Sequence, residues 1–463
     1  MTAAHLNIGG RWETISRRPG SARLALPLAA IFALGEWNGL VRALAGGPVL
    51  GFVLDVALLA IAVKTILGRP GVGTEAQLNG IDLLVGAYFG LALVEILNPN
   101  VPSVLVGVEG FRKSAMMAVA YFVVRASGAR DAQAFMKAAA VLSVPAMIMG
   151  VRQFLWPLPI DFAIIDSSSA AVWTFHQAGT LRAFSPTSGP FLFGLVASLA
   201  FMTATAAFMA GRVRWIVVAV LALAALALSI TRANIVATAI GAIAVIVAYQ
   251  WSCGRKTLAL TLAAGSLFAV SVATLLGSLF GGVGFERMVA ELTAGTDPFN
   301  DPSFETRIGL WGDFMNAIGA NPLIGYGTSS AADGLGAQYA MAGHDFFSPH
   351  SIYFKAILEM GLLGLVLLVW FLLALGIATM RCREPFLRAV SLGVFLLVIV
   401  SGISGPMLDA YPFNLAFWTL AGYLINSRQA LSAYSAGKVA TTREIRTPTA
   451  TSGSAASPSA SAR

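Results

Sequence analysis

The chain has 463 residues, 57% of them hydrophobic and 11% charged, with a formal charge of +8 at pH 7. Apolar residues gathered into long runs, rather than spread over amphipathic faces, exclude a water-soluble globular domain and point to a polytopic helical membrane protein. The positive charge alone does not imply nucleic acid, because basic residues flanking apolar spans are what the positive-inside rule produces.

Residues 1–23 begin basic but hold no apolar core followed by a small-residue cleavage site, so a cytoplasmic N-terminal segment is expected rather than a removable signal. Apolar windows then predict an all-α membrane domain over 24–426 with about twelve spans, at roughly 24–43, 48–67, 79–97, 109–126, 134–151, 188–210, 214–231, 233–251, 257–281, 350–379, 387–406 and 411–426. Glu36, Glu109 or short length weakens the first, fourth and last. Residues 427–463, rich in Ser, Ala and Thr, cannot bury a core and are expected to form a disordered cytoplasmic tail.

With the N-terminus inside, 21 of the 30 Lys and Arg fall in cytoplasmic segments, which supports both the orientation and the span count. The exceptions are Arg42, Arg112, Lys113, Arg152, Arg182, Arg232, Arg287, Arg307 and Lys355. Cys253 and Cys382 both fall on the cytoplasmic side without C-x-x-C spacing, so neither a disulfide nor a zinc site is expected. Two longer connections, 152–187 and 282–349, lie outside, the second before the tenth span. In it Asp301-Pro302 reads as an N-cap and first-turn proline. Arg307, Trp311, Phe314 and Ile318 then share a face until Asn321-Pro322, which predicts a short helix at the outer interface.

His350 is expected at the mouth of the tenth span, either as a loop-bonded helix-start residue or as a proton acceptor for an incoming hydroxyl. Glu359 is nine residues on, on the opposite helix face and about 13 Å deeper, so it pairs with Lys355 at i−4 rather than with His350. Arg182, Arg232 and Arg307 are individually compatible with snorkelling anchors. Three of them outside, on the side of His350, suit the binding of a diphosphate. Asp297 and Asp301 alone make a poor metal site, and no P-loop, dinucleotide fingerprint or nucleophile elbow is present.

These residues resemble a known family. RIGLWGDFMNAIGANPLIGYG (Arg307 to Gly327) followed by PHSIYFKAILEMGLLG (Pro349 to Gly364) is similar to the signature of the O-antigen ligase and polysaccharide polymerase superfamily: R, W, then P-L-x-G-x-G, then H-[NS]-x-Y and E-x-G-x-x-G. Arg307, Trp311, Pro322, Leu323, Gly325, Gly327, His350, Ser351, Tyr353, Glu359, Gly361 and Gly364 match it. ALSITRANIVA resembles the family's S-x-[ST]-R hairpin through Ser229, Thr231 and Arg232, and RAFSPTSGPFLFG its R-x-x-G-x-x-x-x-P segment through Arg182 and Pro190. Ser351 stands where Asn is more usual, Ser185 replaces a glycine, and the asparagine that often follows Pro190 is missing.

The resemblance implies a metal-independent inverting glycosyltransferase without a cofactor. Its donor would be a glycan on undecaprenyl diphosphate and its acceptor a sugar hydroxyl on a glycan or lipid A core, met at the periplasmic face. His350 would be the general base, Arg182, Arg232 and Arg307 the diphosphate ligands, and Trp311, Tyr353 and Glu359 supporting residues. Membrane lipid and other polysaccharide-assembly proteins are the implied surroundings, with no nucleic acid. A flippase or solute carrier is the rival reading; it would favour inverted repeats and charges along a central path, whereas the unexplained charges here gather at one face.

Overall fold

The computed structural model describes residues 22–47, 49–67, 78–129, 131–168, 172–177, 180–255, 257–258, 315, 318–319, 321–331 and 350–427. Among these the chain is helical apart from one minimal hairpin. Helix α1 (Ala22–Glu36) meets α2 (Asn38–Ala45) at a 56° bend, and α3 (Val49–Leu67) returns. Helix α4 (Gly80–Val94) opens on an Asn79 capping box with Asp82 and runs on into a 3-10 turn, Glu95–Leu97. The fourth predicted span is two helices, α5 (Val104–Ser114) and α6 (Val119–Ser127), split by the 3-10 turn Met116–Ala118. Helices α7 (Ala132–Leu142) and α8 (Val144–Leu155) form one 24-residue rod, and the short α9 (Pro159–Ser167) follows.

Strands β1 (His176–Gln177) and β2 (Thr180–Leu181) pair antiparallel, His176 opposite Leu181. Then come α10 (Pro190–Met209), α11 (Trp215–Leu228), α12 (Arg232–Ser252), α13 (Ile352–Met380), α14 (Pro385–Ser401) and α15 (413–427).

Six helices among the described residues are long and apolar enough to cross a membrane, seven if the bent α1–α2 pair is one span. Met116–Ser127, Trp215–Leu228 and Pro385–Ser401 are apolar but shorter. The predicted span 257–281 and the predicted interfacial helix from Asp301 lie almost wholly outside the described residues.

Helix α10 is apolar on every side and sits inside the bundle, packed on α7, α11, α12 and α14. Helices α12 and α14 pack most extensively: a Cβ on Gly393 would stand 2.6 Å from Val245, so close backbone approach depends on small residues. Helix α15 is buried along its length, with Trp418 stacked on Phe371 at 5.0 Å. In contrast α3 exposes Phe52, Val53, Val56, Leu59, Val63 and Ile66, a continuous apolar face suited to lipid.

The loops segregate to two ends. At one, Arg125 forks onto Asp82 (2.6 and 2.7 Å) and contacts Asn426, whose amide donates to Val124 O and Ala129 O (both 2.8 Å), and Arg388 reaches Ser252 (3.5 Å). At the other, residues 98–103, 183–190, 229–233, 321–331, 350–352 and 401–411 make the contacts described next. This second end is the one that the partition of basic residues assigns to the outside, and it is called the outer end below.

Candidate active site at the outer end

The turn Ser229–Thr231 between α11 and α12 is the first anchor. Ile230 is held at φ 48°, a conformation that is uncommon for any residue other than glycine and an outlier for a β-branched one. Arg182 accounts for it: its Nε donates to Ser229 O (2.9 Å), and Nη2 to Ile230 O (3.3 Å) and Thr231 Oγ1 (3.1 Å). Its Nη1 donates to Thr174 O (3.0 Å) beside the hairpin. The guanidinium thus clamps two loops through their carbonyls. Burial and the neighbouring charge of Arg232 push its pKa down to about 10. Arg232 itself is the first residue of α12, half-buried beside Arg182.

His350 is the second anchor. It sits half-buried at φ 46°, immediately before Ser351, whose hydroxyl caps α13 by accepting from Tyr353 N (3.3 Å). Ile352 N donates to Gly402 O (2.9 Å), Tyr353 OH to Ile399 O (3.4 Å), and Ser401 Oγ to Ala233 O (3.2 Å). One turn, 401–402, therefore joins the start of α13 to the start of α12. His350 and Arg232 flank that turn, and Arg182 stands behind Arg232. Arg307 and Trp311 lie outside the described residues.

Glu359 is 1% exposed and plays a different part. Its carboxylate takes Lys355 Nζ at 2.5 Å, as the i−4 spacing predicts, and accepts from Ser329 N (3.1 Å) and Ser114 Oγ (3.3 Å). Lys355 also reaches Asp409 at 2.9 Å, a partner the sequence reading missed. Its only signal was an ionisable residue in the otherwise apolar MLDAYP stretch. A small cavity lined by Tyr88, Ile352, Lys355, Glu359, Leu408 and Asp409 lies at this network.

The glycine motifs have a structural explanation. Helix α13 breaks at Gly361 (φ 63°, ψ −165°), and the PLIGYG segment docks into the break. Tyr326 N donates to Leu358 O (2.8 Å) and Gly327 N to Glu359 O (2.9 Å), while Leu362 N donates to Pro322 O (2.8 Å). The backbone groups orphaned by the break are satisfied by the inserted segment, as they must be at membrane depth. A Cβ on Gly361 would stand 2.1 Å from Leu323 O, and one on Gly325 would stand 2.5 Å from Leu358 O. Residues 325–331 are buried against α5 and the end of α4, where Ser329 Oγ donates to Val106 O (2.8 Å) and Thr328 Oγ1 to Gly107 O (2.9 Å). Part of the predicted outer loop thus descends along α13 to the depth of Glu359.

Among the described residues no group of His, Cys, Asp and Glu could hold a metal ion; Asp297 and Asp301 lie outside them. No curated protein matches the chain. Residues 217–369, which run from α11 through α12 into α13 and include Arg232, His350 and the glycine motifs, match the family model described as O-antigen ligase, and this domain supports the O-antigen ligase and polysaccharide polymerase superfamily.

Proposed function

We propose that the protein is an inner-membrane glycosyltransferase that moves a glycan from undecaprenyl diphosphate to a sugar hydroxyl at the periplasmic face, as a polymerase or ligase of surface or exopolysaccharide. The observation that carries this reading is the 401–402 turn, which joins the loops of His350 and Arg232 at one end of the bundle. That end is where a lipid-borne diphosphate and a water-borne acceptor meet.

In this mechanism the imidazole of His350 takes the proton of the acceptor hydroxyl. The hydroxyl oxygen attacks the anomeric carbon from the face opposite the diphosphate, giving inversion. The bond from that carbon to the diphosphate oxygen breaks, and the electron pair leaves on the diphosphate, stabilised by Arg232 and Arg307. Arg182 acts one step back: four of its five N–H donors go to Thr174, Ser229, Ile230 and Thr231, so it sets the turn that presents Arg232. Glu359 likewise supports the docked 325–331 segment rather than the reacting atoms. No metal has a part in these steps, and activity surviving a strong chelator is the corresponding expectation. The buried charges at Lys355, Glu359 and Asp409 are paired with one another, which suits a fixed scaffold better than a transport path.

Deletion in the native host followed by glycan analysis tests the reading. Loss of all polymer identifies a polymerase, and polymer accumulating on its lipid carrier identifies a ligase. Unchanged surface glycan together with an unchanged lipid-linked pool contradicts both.

A further inference from the structure

Among the described residues, several cations at the outer end are neutralised by ion pairs and Arg42 is not. Arg112 is neutralised by Asp55 (2.7 Å) and Glu109 (2.8 Å), Lys113 stands 3.8 Å from Glu109, Arg152 pairs with Asp161 (2.6 Å), and Lys355 lies between Glu359 and Asp409. Arg42 has no acid. Its Nε and Nη2 are shielded from solvent and have no hydrogen-bond partner, and the same holds for Oδ1 of Asn38, one turn earlier on the same face of α2. A buried guanidinium edge without an acceptor is costly, and a native site keeps such a group when something else supplies the acceptor.

The local fold explains why Arg42 is held there. Helix α2 turns away from α1 by 56° and lies against residues 186–187, with Leu40 N donating to Pro186 O (3.1 Å). Gly39 makes the approach possible, since a Cβ there would stand 2.3 Å from Thr187 O. Asn38 faces Gly51 on α3 and the end of Arg112: a Cβ on Gly51 would make van der Waals contact with Asn38 Oδ1 at 3.8 Å and Arg112 Nη1 at 3.6 Å. Leu44, on the same short helix, is 70% exposed, as suits a helix at the lipid boundary.

We infer that Arg42, with Asn38 beside it, binds the phosphate of a lipid headgroup at the outer interface. The planar fork supplies two adjacent donors for phosphate oxygens, and the acceptor on Asn38 suits a hydroxyl carried next to that phosphate. Two lipids have this chemistry: a polyprenyl diphosphate bearing a sugar, and phosphatidylglycerol. The inference does not require glycosyl transfer.

The experiment measures lipid retention by native mass spectrometry on the full-length protein, purified in detergent and stripped of lipid. The probes are undecaprenyl-diphospho-N-acetylglucosamine and phosphatidylglycerol. Arg42→Ala is expected to weaken retention of one of them roughly tenfold, as the loss of one charge-assisted fork implies, with Arg42→Lys in between. A deficit confined to the diphosphate lipid assigns the site to the donor; a deficit with phosphatidylglycerol assigns it to the bilayer. Arg42→Leu is expected to raise the Tm of the lipid-stripped protein, since it removes the unpaired charge. Should Arg42→Ala not fold, Arg42→Lys carries the comparison alone. Retention of both lipids unchanged in the Lys and Ala variants, or in Lys alone if Ala is lost, overturns the inference while leaving the transfer reading intact. Absence of transfer with the lipid deficit present does the reverse.

Discussion

Arg182 illustrates how a side chain's bonds redefine its role. The sequence places it with Arg232 and Arg307 as a diphosphate ligand, through its outer position and the family resemblance of its segment. Its guanidinium holds Ser229, Ile230 and Thr231 in a turn whose central residue has positive φ, which suits a positioning part. A point charge cannot reach those acceptors at once, so Arg182→Lys is expected to lower kcat nearly as much as Arg182→Ala. Arg232→Lys, which keeps attraction for a diphosphate but loses the fork, is expected to recover part of what Arg232→Ala loses in apparent affinity for the donor. Steady-state kinetics with varied lipid-linked donor separates the two. Full recovery by lysine at both positions would reduce them to membrane anchors.

At the scale of elements, α13 carries most of what was legible and most of what was not. The entry of the helix at His350 and the Lys355 to Glu359 pair follow from helical spacing, which is a local property of the chain. The break at Gly361 does not follow, because its cause is the PLIGYG backbone, some 35 residues earlier, and an apolar run has the same periodicity whether the helix is continuous or split. Asp409 escaped for the same reason: pairing across the bundle leaves no trace in sequence spacing. The splitting of the fourth span at Met116–Ala118 and the bend at Trp37 both fall in the spans that Glu109 and Glu36 had weakened, so the composition held a hint of each.

Two substitutions probe this element. Gly361→Ala forces a side chain into positive φ against Leu323 O and is expected to cost roughly 1–3 kcal/mol, read as a lowered Tm in detergent. Lys355→Met strands Glu359 and Asp409 and is expected to cost about 3–5 kcal/mol. Lys355→Met with Glu359→Gln should regain part of it. Wild-type stability in Lys355→Met would remove the network from the account.

For the whole molecule, the sorting of loops to two ends agrees with the alternation of the predicted spans, because charge partition and span parity are both global constraints that composition carries. Exposure decides where a reporter can stand: Ser329, in the predicted outer loop, is fully buried, whereas Pro157, just past α8, is exposed. A cysteine at Pro157 is expected to react with an impermeant thiol reagent in intact spheroplasts, while native Cys253, exposed at the other end, reacts only after lysis. Labelling of Cys253 from outside would invert the protein and detach the site from its substrates.

The central claim is that His350 accepts the acceptor's proton at that outer end. It is tested most directly by following consumption of a lipid diphosphate glycan by purified protein carrying His350→Gln, which keeps size and hydrogen bonding but cannot take the proton. Turnover is expected to fall by about 10² to 10⁴ with Tm and donor retention unchanged. Wild-type turnover in that variant would contradict the assignment and return His350 to the start of α13 as a structural residue.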